Sequence, residues 1–330
     1  MPTIKDVAKK AGVSYATVSR ALNNHPEINE ETRKKIVKIS SEMGYQPNAI
    51  AQGLVKKETK TIGLLIPDIT NPFFPEVARG VEDAANMEGY SVFLCNTNWS
   101  EEQEERYLEV LMQKQVDGII IGPSSERTGH IKKVFHLGIK PAVFISRIDY
   151  PNSTSILIDN ISGARIAVEY LISKGHKKIA FIGGLKDAFS NQDRLLGYKN
   201  ALEMNGIPIN QDYILNGDFK RESGHQATQK VLQVNLRPTA IFAANDMLAL
   251  GAIQAIKEEG LVIPGDISVV GFDDIGFAAL PEIQLTTIAQ PKYDMGRLAF
   301  LTLLDQIKGG DSVINKRILL NPELIIRKTS

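Results

Sequence analysis

From Thr61 onward, apolar runs of four to six residues alternate with stretches of helical periodicity, and few architectures accept that alternation besides parallel sheets covered by helices. Ile62 to Ile66, Ser91 to Cys95, Gly118 to Ile121, Ala142 to Ile145 and Ser155 to Ile158 read as one set of strands. Ile179 to Gly183, Tyr213 to Leu215, Ala240 to Ala243, Ser268 to Phe272 and Thr286 to Ile288 read as a second. Two tandem units of this kind predict an α/β body of two doubly wound lobes facing across a cleft. At 330 residues, 43% of them apolar, the chain is long enough to build both and still carry a smaller domain in front.

Several classes of protein are disfavoured by the same reading. No stretch approaches the roughly eighteen apolar residues of a membrane helix, and Met1-Pro2-Thr3-Ile4-Lys5-Asp6 lacks the pattern of a signal peptide, so a cytoplasmic protein is expected. The single cysteine, Cys95, has no partner for a disulfide and reads as a core residue on a strand. The five histidines are scattered without metal-ligand spacing, and neither a glycine-rich phosphate loop nor a nucleophile-base pair at diagnostic spacing is present. No catalytic residue, metal or cofactor is therefore expected. An enzyme and a ligand-binding transport protein are competing classes for such a body, the second opposed by the first sixty residues and by the missing signal peptide.

Those sixty residues hold eleven Lys and Arg against six Asp and Glu, a net +5, which leaves −5 on the rest of a formally neutral chain. A basic end on an acidic body is the footprint of a protein that meets phosphate at one end only. Thr3 and Asp6 form a capping-box-like pair, and Ile4, Val7, Ala8 and Ala11 then recur along one helical face up to Gly12. Ser14 caps a second helix that turns Val18, Ala21 and Leu22 inward. A third helix begins at Asn29, presents Ile36, Ile39 and Met43, and stops at Gly44. Two helices joined by a glycine turn place the second across a major groove. Tyr15, Ala16 and Arg20 are the expected base readers: Arg20 can donate two N–H groups to a guanine, and Ala16 offers a methyl-sized contact to thymine. Thr17, Ser19, Asn23 and Asn24 are expected on phosphates, where they set register. A small three-helix bundle with a polar face is the plainer reading of the same pattern.

Thr3-Ile4-Lys5-Asp6-Val7-Ala8, Gly12 through Asn23, Thr32-Arg33, Gly44-Tyr45 and Pro47-Asn48-Ala49-Ile50-Ala51 through Leu54 resemble, in order and spacing, the DNA-binding head of the lac repressor family. The resemblance implies a ligand-responsive transcriptional regulator, most often a repressor, that binds a near-palindromic operator as a homodimer. It also implies a hinge helix from Asn48 to Val55 that pairs with a second copy in the minor groove, with Leu54 wedged into the central base step and Ala51 beside it; Thr3 and Asn48 complete the expected DNA contacts. Eight residues that include Gly53 are too few to stay helical alone in water, so this hinge should fold only on DNA. Lys56, Lys57 and Lys60 then read as a solvated linker. The family body resembles periplasmic sugar-binding proteins, crossed three times by the chain. The expected divisions are 1–46 for the head, 47–60 for hinge and linker, 61–160 with 291–320 for the first lobe, and 161–290 with 321–330 for the second.

Ligands in such sheets sit beyond the carboxyl ends of the strands. The residues there are polar: Asp68, Asn96, Ser124 and Arg147 in the first lobe, and Asp187, Asp218, Asn245, Asp246, Asp273 and Gln290 near the second. Carried over by motif position, Arg194, Asn245 and Asp273 are the foremost ligand candidates, followed by Arg147 and Gln290 and then by Asp68, Phe73 and Phe74. The two phenylalanines supply a stacking surface, although either alone fits a core position as well. Asp246 reads better as the cap of a helix starting near Met247 than as a ligand contact. Arg147 stands where a purine-binding relative is expected to present an aromatic ring. The expected effector is therefore a sugar or sugar phosphate, ribose or a related sugar being preferred.

Overall fold

The structure, a computed structural model, describes residues 2–45, 58–123, 129, 131–132, 141–148, 153–309 and 316–330. It divides into two compact units, residues 1–59 and 60–330.

Among the described residues, the first unit has three short helices, each opened by a side-chain cap. Thr3 caps α1 (Ile4–Ala11) by accepting from the Asp6 N–H, and the Asp6 carboxylate accepts in return from the Thr3 N–H at 2.8 Å. Gly12 ends that helix at φ +72°, a conformation available to it because it lacks a Cβ. Ser14 caps α2 (Tyr15–Leu22) and Asn29 caps α3 (Glu30–Glu42). Val7, Ala8, Ala11, Val18, Ala21 and Ile36 close a small shared core, and the spacing of those residues is why helices this short hold together.

The second unit contains two six-stranded sheets of matching order. Lobe 1 carries β1 (Thr61–Ile66), β2 (Ser91–Asn96), β3 (Gly118–Ile121), β4 (Ala142–Phe144), β5 (Thr154–Ile158) and, last in sequence, β11 (Arg317–Leu320), arranged β11-β5-β4-β3-β1-β2. Lobe 2 carries β6 (Ile179–Gly183), β7 (Ile214–Asn216), β8 (Ala240–Ala243), β9 (Ser268–Asp273), β10 (Thr286–Ala289) and β12 (Glu323–Ile325), arranged β12-β10-β9-β8-β6-β7. Strand pairs are parallel throughout, except that β12 runs antiparallel to β10. The chain passes from lobe 1 to lobe 2 after β5, returns after β10, and crosses again between β11 and β12.

Side-chain alternation explains how the sheet of lobe 1 is covered on both faces. Ile62, Leu64 and Ile66 of β1 pack with Val77 and Val81 of α4 (Phe73–Met87) and Phe300 and Leu303 of α10 (Lys292–Ile307), while Leu65 faces Leu108 and Leu111 of α5 (Glu101–Gln113). Cys95 is buried with that second group, and burial pushes its thiol pKa up, away from reactivity. Lobe 2 is covered by α6 (Asn160–Ser173), α7 (Phe189–Met204), α8 (Arg221–Leu232) and α9 (Asp246–Glu258) around one core centred on Phe181, Tyr198, Phe242 and Phe272.

Three local expectations need correction, and one strand was not expected. Residues Glu323–Ile325 form a strand although only three residues long, too short for any periodicity to show. Tyr213 belongs to a 3-10 turn, its hydroxyl donating to the Leu236 carbonyl, and β7 starts one residue later. Lys60 is not simply solvated linker: its N–H donates to Asp117 at 2.8 Å and its ammonium lies 4.4 Å from the centre of the Tyr90 ring. Asp246 is not the cap of α9; Asn245 is, accepting from the Leu248 N–H at 2.8 Å, while Asp246 is the first helical residue and turns inward. Among the described residues no helix is long and apolar enough to cross a membrane, and no group of three His, Cys, Asp or Glu is arranged to hold a metal ion.

Candidate functional site

In the first unit, α2 buries Val18 and Ala21 and leaves its other side outward. Tyr15 is 63% exposed despite its ring, Arg20 is exposed, and Ala16 lies between exposed and buried. The Ser14 cap holds the start of the helix in place, and Thr17 Oγ1 lies 2.9 Å from Ser14 Oγ. Asn23 Nδ2 donates to the Ser19 carbonyl at 2.8 Å, and Asn24 turns the chain at φ +54°. Among the described residues, the ion-pair neighbour of Arg20 is the exposed Glu27 at a loose 3.7 Å, so its guanidinium is available at little cost. Thr3 is exposed and its hydroxyl donates to Asp6; those hydrogen bonds hold the Asp6 carboxyl below its ordinary pKa. Asn48, Ala51 and Leu54 lie outside the described residues, as do Lys56 and Lys57.

The second unit contains a cavity of about 300 Å³ between its lobes, at the carboxyl ends of the strands. Seven of the eight expected ligand residues, Phe73, Phe74, Arg147, Arg194, Asn245, Asp273 and Gln290, line it. Asp68 does not line it: its Oδ1 accepts from the N–H and hydroxyl of Thr70, closing the turn before α4. Asn96 likewise accepts from the Ile69 N–H.

Arg194, buried on α7, donates from Nε to Asn160 at 2.8 Å and from Nη1 to the Ala244 carbonyl, and lies over the Phe272 ring at 3.8 Å. Its Nη1 is 3.7 Å from the Asp273 carboxylate. Asp273 also accepts from Gln290 Nε2 at 2.6 Å and sits at φ +121°, a costly conformation for a residue with a Cβ. The Lys292 ammonium holds that turn by donating to the carbonyls of Asp273 at 2.8 Å and Asp274 at 2.7 Å. Burial pushes the Asp273 carboxyl up to about 6 even though Arg194, Gln290 and Lys292 each pull it down. Asp246, behind it, accepts from the Ile275 N–H and the Thr287 hydroxyl, and burial with the nearby Asp273 charge raises its carboxyl well above the carboxylate range. Gly271 makes this packing possible, since a Cβ there would come within 2.2 Å of Asp246. The Asn245 amide is occupied on both sides, by the Leu248 N–H and the Phe219 carbonyl.

The opposite wall is aromatic. Phe73 and Phe74 meet edge to face, Phe74 meets Trp99 at 6.3 Å, and Trp99 stacks on Phe219 of lobe 2 at 5.3 Å and 21°. Arg147, in the loop after β4, reaches across to Asp193 of α7 at 3.2 Å and lies over the Phe189 ring at 4.4 Å. Sequence reasoning missed Trp99, Phe219, Phe189, Asp193 and Lys292. Trp99 had a usable signal, being the single tryptophan, three residues past the end of a strand. Phe219, three residues past the end of β7, carried the same positional signal; Phe189, Asp193 and Lys292 gave none, because nothing in a sequence says which helix faces a cleft. Carboxylates, amides and guanidiniums beside flat rings suit a ligand with adjacent hydroxyls on an apolar ring face.

Residues 3–48 match the family model described as bacterial regulatory proteins, lacI family, and residues 59–325 match the periplasmic binding proteins and sugar binding domain of the same family. The chain is 38% identical over 330 residues to catabolite control protein A of Priestia megaterium, covering 99% of each. It resembles the structure of the lac repressor dimer bound to operator and the anti-inducer ONPF, with a TM-score of 0.90 at 32% identity, over 99% of this chain and 98% of that one. It also resembles a family regulator from Enterococcus faecium with bound ribose, with a TM-score of 0.75 at 32% identity, over 82% of this chain and 98% of that one.

Proposed function

This chain belongs to the lacI family of bacterial regulatory proteins, and on that premise we propose that it is a homodimeric repressor whose hold on a near-palindromic operator is set by a small sugar-like effector bound between the lobes. The reading is carried by one observation: a capped helix-turn-helix with Tyr15, Ala16 and Arg20 outward stands in the same chain as a cleft that pairs rings with bidentate polar groups. Residues 1–46 read the major groove, 47–60 form the hinge, and the lobes comprise 61–160 with 291–320 and 161–290 with 321–330. Thr17, Ser19, Asn23 and Asn24 contact phosphates; Asn48, Ala51 and Leu54 act in the minor groove. In the cleft, Arg194, Asp273 and Gln290 bind hydroxyls, Phe73, Phe74, Trp99 and Phe219 cover the ring, and Asn245 shapes the site through its cap. Asp68 is left out of the set.

Two features support dimerisation. The edge strand β2 leaves Phe93 48% and Leu94 47% exposed, and Phe277 and Leu280 of lobe 2 are exposed as well, an apolar surface that a second copy would cover. Ligand closure of the lobes then changes the spacing of the two hinges and whether they can pair on DNA. A repressor of this kind works in the cytoplasm, where its operator is.

Arg20→Ala in the full chain tests the division of labour. Discrimination of the operator from random duplex should fall by about 1–3 kcal/mol while stabilisation by effector is unchanged. Retained discrimination overturns the assignment of Arg20, and lost effector response overturns the separation of the two sites.

A further inference from the structure

The charges that line the cleft are largely paired with one another. Among the described residues that line it, the cations are the guanidiniums of Arg147 and Arg194, against the three carboxylates of Asp159, Asp193 and Asp273. Arg194 is engaged by Asp273, Asn160 and Ala244. Asp159 caps α6, accepting from the Ser162 N–H at 2.9 Å, which closes that helix end to anions. Arg147 is the exposed cation, with a side chain 47% accessible, and it is the one Asp193 meets from the other lobe. Burial pushes the Asp193 carboxyl up, and Arg147, ahead of Arg194, draws it back toward ionisation. The start of α7, at Ala188 and Phe189, has no side-chain cap and faces the cleft, but Asp193 on the same helix places a negative charge beside it.

Resting on the reading of this cleft as the effector site, we propose that Asp193 is its specificity-determining residue: by neutralising Arg147 across the cleft it makes the site take an uncharged polyol and reject the phosphate ester of the same sugar. A phosphate entering here gives up hydration and meets net negative charge, with the accessible guanidinium already paired. A neutral sugar incurs neither cost and finds acceptors in the carboxylates, donors in the guanidiniums, and the Phe74, Trp99 and Phe219 rings for its apolar face. Specificity of this kind works by rejecting the competitor as much as by holding the ligand.

The test follows thermal unfolding of the full-length wild type and Asp193→Asn with D-ribose, ribose 5-phosphate and inorganic phosphate at fixed ionic strength. The wild type should gain nothing from inorganic phosphate or from the ester. Asp193→Asn, which frees Arg147, should bind both about tenfold more tightly, the low end of what a charge pair contributes at a binding surface. Adding Arg147→Gln to that variant should abolish the gain. If Asn at 193 lowers the ligand-free melting temperature, Asp193→Ser carries the same expectation. Preference of the wild type for the ester over ribose, no gain in either variant, or a gain that survives loss of Arg147 each overturns the proposal. Should ribose leave the wild type unshifted while the variant gains phosphate, the role of Asp193 stands and the sugar reading of the cleft fails. An ester preference in the wild type removes only the role of Asp193 and leaves a regulator.

Discussion

Lobe 1 meets the cleft mainly with rings and lobe 2 mainly with charges, although both are built on sheets of the same strand order. The rings of lobe 1 come from the start of α4 and from the loop after β2, where Phe73, Phe74 and Trp99 pack on one another. The charges of lobe 2 come from α7 and the end of β9, where Arg194 and Asp273 are nearly inaccessible to water. Buried charges need fixed partners, and lobe 2 supplies them from a single core with Phe181, Tyr198, Phe242 and Phe272 fully buried behind the site. A stacking surface needs no such precision, and lobe 1 divides its core between the two faces of its sheet. A shared topology therefore leaves the chemistry of each wall free, and the difference is set by the few residues that follow the strands.

The comparison breaks most readily at Arg194. Replacing it with Ala leaves Asp273 buried without its cation and should cost about 3 kcal/mol or more, read as an early loss of lobe 2 in thermal or denaturant unfolding. An unchanged midpoint would mean that the polar wall is not a coupled unit. Trp99→Ala removes the inter-lobe stack and should cost about 2 kcal/mol while weakening effector binding without any pH dependence, measured by titration calorimetry at pH 5.5 and 7.5.

A smaller effect is expected for Asp273→Asn, and it concerns slope rather than level. The folded-state value of about 6 lies above the ordinary 3.8, so the folded protein keeps a proton that the unfolded chain has released. The associated stability is complete below about pH 3.8 and is lost as pH rises through about 6. His176 acts the other way: burial lowers its pKa below 6.5, and its contribution is lost as pH falls. Subtracting the melting curve of Asp273→Asn from that of the wild type between pH 4.5 and 7.5 isolates the first slope, which should favour the wild type progressively toward acid. The smallest effect belongs to Arg147→Gln, below about 1 kcal/mol, because the Arg147 end of that ion pair is half exposed.

Much of the fold was legible because burial and periodicity are linked. Gly118–Ile121, Ile179–Gly183 and Ala240–Ala243 begin and end as the apolar runs do, and the caps Thr3, Ser14 and Asn29 open their helices where the sequence pattern places them. The three-residue β12 was hidden, since a pattern needs length. In the cleft, residues just past strand ends could be found by rule, Arg147 and Asp273 among them. Asp68 follows the same rule yet serves a turn, because a short carboxylate bonds local N–H groups as easily as a ligand. Asp193 and Lys292 act across the lobes, at a sequence distance that no local pattern encodes.

The most direct test of a head that reads DNA under control of the cleft is the affinity of the full-length chain for a duplex selected from a random pool, measured with and without the sugar that gives the largest thermal shift. The expected duplex is near-palindromic, and its affinity should change by about fivefold or more in one direction on adding the sugar. An affinity that stays the same at saturating sugar would contradict the coupling of the two sites.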